Sequence, residues 1–128
     1  MRILLDTHVA LWALTGNRRL STRARDLILD PANDVYFSAA TVWEIAIKHR
    51  LTRKEMPVSG ALAAKLFAEA GYIELPVTAA HAATTERLPM LHADPFDRIL
   101  VAKSISEPLH LLTHDLIVAQ YGDGVELV

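Results

Sequence analysis

The sequence predicts an α/β fold, a three-layer α/β/α sandwich around a mainly parallel central sheet of four or five strands. Short apolar or β-branched runs alternate with longer helical segments along the whole chain of 128 residues. Strands separated by helices need crossover connections, which produce parallel sheets covered by helices on both faces. The predicted strands are also continuous apolar runs, as such a doubly covered sheet requires. We see no linker or internal repeat, so residues 1–128 are predicted to form a single domain.

In the first half of the chain, apolar runs predict the strands, and capping residues define the helices between them. The predicted strands are Arg2–Leu5, a continuous apolar run, and Val35–Phe37, which is β-branched and aromatic. The first two predicted helices are His8–Leu14, which ends at Gly16, and Thr22–Leu29, which Ser21 caps and Pro31 ends. The next two are a helix from the cap Ser38 to Arg50 and the Ala-rich helix Gly60–Ala70, which ends at Gly71.

The same signals continue in the second half. The predicted strands are Tyr72–Val77, Leu109–Thr113 and a short last one at Val125–Val128. The predicted helices are one capped by Thr78 that runs through Arg87, one with Asp94 as cap and Pro95 in its first position that runs to about Ile105, and a short one over Asp115–Tyr121.

Composition narrows the classes of function. The formal net charge is −2, so the chain lacks the general basic field of many nucleic-acid-binding proteins, although local basic patches are possible. No cysteine is present, which excludes disulfides, thiolate nucleophiles and cysteine-held metals. The N-terminal apolar run is broken by Asp6, too early for a signal peptide, and no apolar stretch is long enough to span a membrane. We therefore expect a soluble, cytoplasmic protein.

Carboxylates follow the predicted strands. Asp6 follows the first strand, Glu44 lies in the helix after the second, Asp97 lies at the start of the helix that Asp94 caps, and Asp115 follows the fourth strand. Sites in open α/β sheets form at the carboxyl ends of the strands, so these acids are expected to converge. Clustered carboxylates repel one another, and a bound Mg²⁺ or Mn²⁺ would remove that repulsion. Such an ion polarises a phosphoryl oxygen and activates water, which predicts phosphodiester hydrolysis.

Each acid also has a purely structural interpretation. Asp6 could simply end its strand, and Glu44 is spaced for a helix ion pair with Lys48. Asp94 and Asp115 could act as helix caps, whereas Asp97 could favour the positive end of a helix dipole. Each signal is weak alone, and the shared position after strand ends favours a common site.

Four segments around these acids resemble the acidic motifs of PIN domains, specifically VapC-type toxins of toxin–antitoxin pairs. The resembling segments are Leu4–His8, Phe37–Ile45, Leu88–Ala102, which is the most specific, and Leu111–Asp115, which keeps a Thr-x-Asp pattern. The resemblance extends over nearly the whole chain. One departure is that Leu116-Ile117-Val118 stands where the family usually has an aromatic residue.

The resemblance implies a metal-dependent endoribonuclease that uses Mg²⁺ or Mn²⁺. Asp6 and Asp97 would be the principal metal ligands, Glu44 would complete the acidic pocket directly or through water, and Asp115 would be the fourth acid. Thr113 would orient neighbouring groups, and Thr7 and Ser38 would be supporting residues of the first two motifs. The resemblance further implies a homodimer and an antitoxin partner that blocks the site. The number of metal ions and the RNA target stay open.

Basic, aromatic and histidine residues suggest further contacts. Two basic groups could bind RNA phosphates or form solvated helix faces: Arg18, Arg19, Arg23 and Arg25, and then Lys48, Arg50, Arg53 and Lys54. The pairs His92-x-Asp94 and His114-Asp115 suggest zinc, but no recognised zinc motif supports it, so ordinary histidines are favoured. Trp12 and Trp43 are expected in the core. Apolar surface on the helices His8–Leu14 and Gly60–Ala70 could serve a dimer or an antitoxin.

Other classes of protein fit less well. A phosphate-accepting receiver domain, the main alternative, needs an acidic pair after the first strand and a lysine after the last, whereas this chain has Thr7-His8 and no lysine after Thr113. A phosphohydrolase with an Asp-x-Asp motif would need an acid at position 8, where the residue is His8. A non-enzymatic binding module would leave the four carboxylates unexplained.

Overall fold

A five-stranded, all-parallel sheet forms the centre of the computed structural model, which describes all residues 1–128. The strands are β1 (Arg2–Leu5), β2 (Asp34–Ser38), β3 (Ile73–Leu75), β4 (His110–Thr113) and β5 (Val125–Leu127). They lie in the order β3-β2-β1-β4-β5, so β1 is central. The predicted α/β class and the parallel sheet are confirmed.

Six α-helices connect these strands. They are α1 (Thr7–Thr15), α2 (Thr22–Leu29), α3 (Ala39–Leu51), α4 (Gly60–Glu69), α5 (Ala79–Thr84) and α6 (Pro95–Ser106). The predicted caps are observed at Ser21, Ser38, Thr78 and Asp94, and each side chain accepts a hydrogen bond from a backbone N–H of the first turn. Gly16 ends α1 with a φ of 63°, a left-handed conformation that glycine adopts without strain. The longest of these helices, α3, has 13 residues, and none is long and apolar enough to cross a membrane.

The two faces of β1 face two separate cores, which explains its continuous apolar sequence. Ile3 and Leu5 pack with side chains of α1 to α4, including Phe67, whereas Leu4 points the other way and packs with Leu100 and Val101 of α6. Successive side chains of a strand point to opposite faces, so a strand between two helical layers must be apolar throughout. The predicted three layers are therefore confirmed.

Three local predictions are wrong. The helix predicted over Asp115–Tyr121 is a turn followed by a 3₁₀ helix at Val118–Tyr121. Asp115 Oδ1 accepts the N–H groups of Ile117 and Val118 as a helix cap would, but Gly122, with a φ of 145°, ends the segment before an α-helix is formed. The helix predicted through Arg87 changes to 3₁₀ after Thr84. Trp43 is 64% exposed and lies outside the core, whereas Trp12 is buried as predicted.

Candidate active site

Asp6 lies at the carboxyl end of the central strand and is almost completely buried. Its Oδ1 accepts the N–H of Val9 at 2.8 Å, so the side chain caps α1. Its Oδ2 accepts the Thr113 hydroxyl at 2.6 Å and the N–H of His114 at 3.2 Å. Burial raises the pKa of the Asp6 carboxyl, although these hydrogen bonds oppose the rise. Thr113, predicted to orient neighbouring groups, thus holds Asp6 across the 107 residues that separate them.

Glu44 lies one helical turn inside α3 and is also buried. Its Oε1 accepts the Thr7 hydroxyl at 2.7 Å, and the Thr7 hydroxyl lies 3.2 Å from that of Thr41. Its Oε2 accepts the ammonium of Lys48 at 2.5 Å. The ion pair with Lys48 that the sequence predicted is therefore observed, and the hydrogen bond from Thr7 ties Glu44 to the residue that directly follows Asp6.

Asp94 and Asp97 have different environments although they begin the same helix. Asp94 Oδ1 accepts the N–H of Phe96 at 2.8 Å, so Asp94 is the cap of α6 as predicted. Asp97 projects toward the other acids instead. Burial and the charge of Asp94 raise the pKa of Asp97 to about 7, His92 opposes this rise, and Glu44 and Asp6 add to it. Asp97 therefore lies in the electrostatic neighbourhood of the helix cap Asp94 and of acids from two other parts of the chain.

His92 links Asp97 to Asp115. Its Nε2 lies 3.2 Å from Asp97 Oδ2 and 3.0 Å from Asp115 Oδ2. Its Nδ1 accepts the N–H of Asp94 at 3.0 Å, so the neutral ring carries its hydrogen on Nε2 and donates it to the carboxylates. Partial burial raises the pKa of Asp115, but hydrogen bonds from His92 and from the N–H groups of Ile117 and Val118 outweigh it and lower the pKa overall. The ligand atoms of His92, Asp97 and Asp115 all lie within 4.8 Å of one another.

The structure does not bring every predicted residue to the acids. Ser38 caps α3 through the N–H of Ala40, and its hydroxyl accepts the ammonium of Lys103, which also donates to the carbonyl of Leu75 at 2.9 Å. Lys103 is fully buried, and burial lowers its pKa to about 8. Ser38 therefore joins β2, β3 and α6 and makes no hydrogen bond to the four acids.

The donor set fits a hard divalent cation. It offers carboxylate oxygens, which Mg²⁺ and Mn²⁺ prefer, and it includes one carboxyl whose ionised form is disfavoured by burial and by neighbouring acids. A cation at this point would relieve that penalty.

Comparisons with known proteins identify the family of this chain. The family model described as "PIN domain" matches residues 3–123. The chain belongs to the PIN domain family. This match confirms the resemblance drawn from the sequence. The proteins of this family are nucleases. The receiver-domain alternative finds no support in the match. A comparison with curated protein sequences finds no significant match.

Solved structures similar to this PIN domain include several toxin–antitoxin complexes. VapBC2 from Rickettsia felis, bound to a DNA fragment from its promoter, matches with a TM-score of 0.72 and 15% identity over 100% of this chain and 98% of that one. FitAcB from Neisseria gonorrhoeae matches with a TM-score of 0.59 and 27% identity over 91% and 89%. FitAB bound to the IR36 DNA fragment matches with a TM-score of 0.64 and 25% identity over 98% and 94%.

Sequence reasoning missed a guanidinium that organises the site of this PIN domain. Arg98 Nη1 donates to the Pro89 carbonyl at 3.0 Å and to the Tyr121 hydroxyl at 3.1 Å, while Nη2 donates to the Thr85 carbonyl at 2.7 Å. The Tyr121 hydroxyl in turn accepts the N–H of His92 at 2.9 Å. Arg98 directly follows Asp97, but nothing in the sequence indicates this role. For His92 the only signal was its spacing to Asp94.

Proposed function

We propose that this PIN domain is a metal-dependent endoribonuclease and the toxin of a toxin–antitoxin pair. The environment of Asp97 carries the proposal. Burial, then the charge of Asp94 and, to a smaller extent, the charges of Glu44 and Asp6 raise the pKa of Asp97 to about 7. His92 links Asp97 to Asp115. Such an arrangement is costly without a cation and is suited to phosphodiester hydrolysis.

Asp6 and Asp97 would be the principal ligands of Mg²⁺ or Mn²⁺, with Glu44 and Asp115 completing the site. A bound divalent ion would supply Lewis-acid polarisation of the phosphate and activation of water. The protein contributes orientation: Thr113 and two backbone N–H groups hold Asp6, Thr7 and Lys48 hold Glu44, and His92 positions Asp97 and Asp115. Because each carboxylate already has a second partner, little side-chain freedom is lost when an ion binds.

We expect RNA cleavage that requires Mg²⁺ or Mn²⁺. End-labelled RNA and DNA of the same sequence are incubated with the protein in either ion or in EDTA. The expected result is internal cleavage of RNA in both ions and none in EDTA. Undiminished cleavage in EDTA would disprove the metal mechanism, and cleavage of DNA alone would disprove the ribonuclease assignment.

The antitoxin would cover this acidic site with a basic group. An arginine guanidinium pairs with carboxylates through two parallel hydrogen bonds and would neutralise part of the repulsion around Asp97. The similarity to VapBC2 and FitAB complexes supports a partner of this kind. In the cleavage assay, the antitoxin is expected to abolish activity.

We also propose a homodimer formed by an apolar stripe on α3. Trp43, Ile47 and Leu51 are exposed and four residues apart, so they lie on one face of the helix. The ring of Trp43 packs edge-on against Phe96 at 5.3 Å, beside a cavity of about 340 Å³ with mostly apolar walls. The sequence predicted such an apolar surface on the helices His8–Leu14 and Gly60–Ala70, whereas this stripe lies on α3 beside the start of α6. An apolar patch of this kind favours association.

Trp43→Glu is expected to convert the dimer to a monomer, because it places a charge at the end of this stripe that packs against Phe96 and the apolar cavity. Sedimentation velocity of the wild type and the variant measures the change. Leu29→Glu is the matched control, since Leu29 is 72% exposed on α2, away from the stripe. A monomeric wild type, or equal dissociation by Leu29→Glu, would contradict the proposed interface.

A further inference from the structure

A small pocket adjoins the acidic site on its β4 side. It has a volume of about 350 Å³ and is lined by His8, Trp12, Arg19, His114 and Asp115. Asp115 belongs to both the pocket and the acidic cluster, and the backbone N–H of His114 donates to Asp6. A ligand group bound in this pocket would therefore lie next to a phosphate bound at the acidic site.

The walls of the pocket are aromatic. The rings of Trp12 and His114 pack edge-to-face with 4.7 Å between centroids, and the centroid of the His8 ring lies 5.9 Å from that of Trp12. The two imidazoles are thus held against one indole, and both are exposed to solvent. Aromatic faces of this kind accept nucleobases by stacking, independently of sequence.

Two hydrogen-bonding groups of the pocket have no partner within the chain. His114 Nδ1 lies 3.1 Å from the main-chain oxygen of Val128, which can only accept, so Nδ1 carries a hydrogen. Nε2 has no protein partner, and in the neutral tautomer it is a free acceptor. The guanidinium of Arg19 also has no partner within the chain, whereas that of its neighbour Arg23 is paired with Glu126 at 2.9 Å. A base with an N–H donor and a phosphate would satisfy these two groups.

We propose that this pocket binds the nucleobase beside the scissile phosphate, with Arg19 on an adjoining phosphate. This inference rests on the proposed ribonuclease function and adds a subsite to it. Arg19 is the only arginine of the basic group Arg18, Arg19, Arg23 and Arg25 that lines the pocket. It is therefore the one of these arginines that we assign to the substrate. Neither the acids nor the histidines alone would orient a flexible RNA strand; the pocket would fix one base and thereby the phosphate next to it.

Trp12 provides a direct measurement of binding. The chain has two tryptophans, so Trp43→Phe leaves Trp12 as the only indole. This substitution is combined with Asp97→Asn, which prevents cleavage, and the protein is titrated with a short oligoadenylate. We expect saturable quenching of Trp12 fluorescence. An abasic ribose-phosphate chain of the same length should quench little, because it has no base to stack.

Variants of the pocket test the assignment. His114→Ala or His8→Ala is expected to weaken oligoadenylate binding about tenfold, in the range found for the loss of one stacking contact. Arg19→Ala should weaken binding several-fold more than Arg18→Ala, which removes the same charge one residue away. Absence of quenching, quenching by the abasic chain alone, or equal effects of Arg18→Ala and Arg19→Ala would overturn the proposal. Quenching by the antitoxin but not by oligoadenylate would also overturn it, by assigning the pocket to protein.

Cleavage measurements separate this inference from the function on which it rests. In a pool of RNA sequences, the wild type should prefer certain bases next to the cut, and His8→Ala and His114→Ala should weaken that preference while cleavage persists. Metal-dependent cleavage without Trp12 quenching would disprove the subsite and keep the ribonuclease. Quenching without any cleavage by the wild type would disprove the ribonuclease and keep the nucleotide pocket.

Discussion

Asp97→Asn is expected to abolish RNA cleavage and to stabilise the metal-free protein at the same time. Asparagine keeps the shape of the side chain but removes the charge that a hard cation requires. Loss of several kcal/mol of electrostatic stabilisation in the transition state corresponds to a fall in rate of about 10³-fold or more. The gain in stability follows from the same site, because the ionised carboxylate is disfavoured there by burial and by Asp94.

The stabilisation should depend on pH in a defined direction. The pKa of Asp97 is about 7 in the folded chain and 3.8 for an ordinary aspartate. Between these values the unfolded chain loses the proton while the folded chain retains it, so the free energy of unfolding falls as pH rises from about 4 to 7. Since a fifth of the Asp97 side chain is exposed, we expect a penalty of about 2 kcal/mol rather than the full shift.

Urea unfolding of the metal-free wild type and Asp97→Asn from pH 4 to 8 measures this penalty. The two proteins should be nearly equal at pH 4 and differ by about 2 kcal/mol at pH 8. Asp94→Asn is the matched comparison, because asparagine caps a helix nearly as well as aspartate, so loss of the cap itself should cost only a few tenths of a kcal/mol and much of the activity should remain. Since the charge of Asp94 helps to raise the pKa of Asp97, this variant should also lose less stability than the wild type as the pH rises, whereas Asp97→Asn should lose the pH dependence. An inactive Asp94→Asn together with an active Asp97→Asn would reverse the assignment of cap and ligand. If both remained active, the acidic-site mechanism would be wrong.

Arg98→Ala is expected to destabilise the protein by about 2–4 kcal/mol and to weaken metal binding. The guanidinium donates to the carbonyls of Thr85 and Pro89 and to the hydroxyl of Tyr121. A hydrogen bond of a charged group contributes about 1.5–3 kcal/mol, and the three bonds to one guanidinium are not additive, since water replaces part of them at this partly exposed site. Its loss would also free Tyr121, which holds the backbone of His92. Metal affinity should therefore fall although Arg98 touches no acid.

Arg98→Lys distinguishes this positioning role from a simple requirement for positive charge. Lysine keeps the charge but lacks the planar fork, so it cannot reach the Thr85 carbonyl and Tyr121 together. We expect Arg98→Lys to recover less than half of the lost stability, measured by urea unfolding, and little of the metal affinity, measured by calorimetry. Full recovery by lysine would show that charge alone matters. Arg87→Ala, which removes an exposed arginine close by in sequence, should leave both quantities unchanged.

Much of the fold is encoded in signals that extend over a few residues. Caps such as Ser21, Ser38 and Asp94 compete locally for the first N–H groups of a helix, and all three occur where the sequence predicts them. The continuous apolar sequence of β1 indicates a central strand, because only a strand covered on both faces lacks polar alternation. The sequence predicts a helix at Asp115 where the structure has a turn. An aspartate that accepts backbone N–H groups can begin either a helix or a turn, and the sequence does not distinguish the two.

The candidate acids were predicted for a related reason. Parallel topology brings the carboxyl ends of all strands to one edge, so residues that follow strands are expected to meet there even when the packing is unknown. Asp6, Glu44, Asp97 and Asp115 could be proposed in this way, together with the motif resemblance. Asp94 could be separated from Asp97 because the capping position next to Pro95 is a local feature.

The sequence by itself determined the class of fold and the family, and it was enough to propose four candidate acids, because the alternation of strands and helices, the caps and the motif spacing are properties of the chain. Only the tertiary structure decided the partners that hold those acids. Thr113 meets Asp6 across 107 residues, and His92 meets Asp115 across 23, contacts that no local signal specifies. It also decided that Trp43 is exposed, because an apolar residue on a helix reveals its face only when the neighbouring elements are in place. Long-range hydrogen bonds and helix orientation arise from the packing of the whole chain. They place Asp97 within the electrostatic influence of Glu44 and Asp6 and link it through His92 to Asp115.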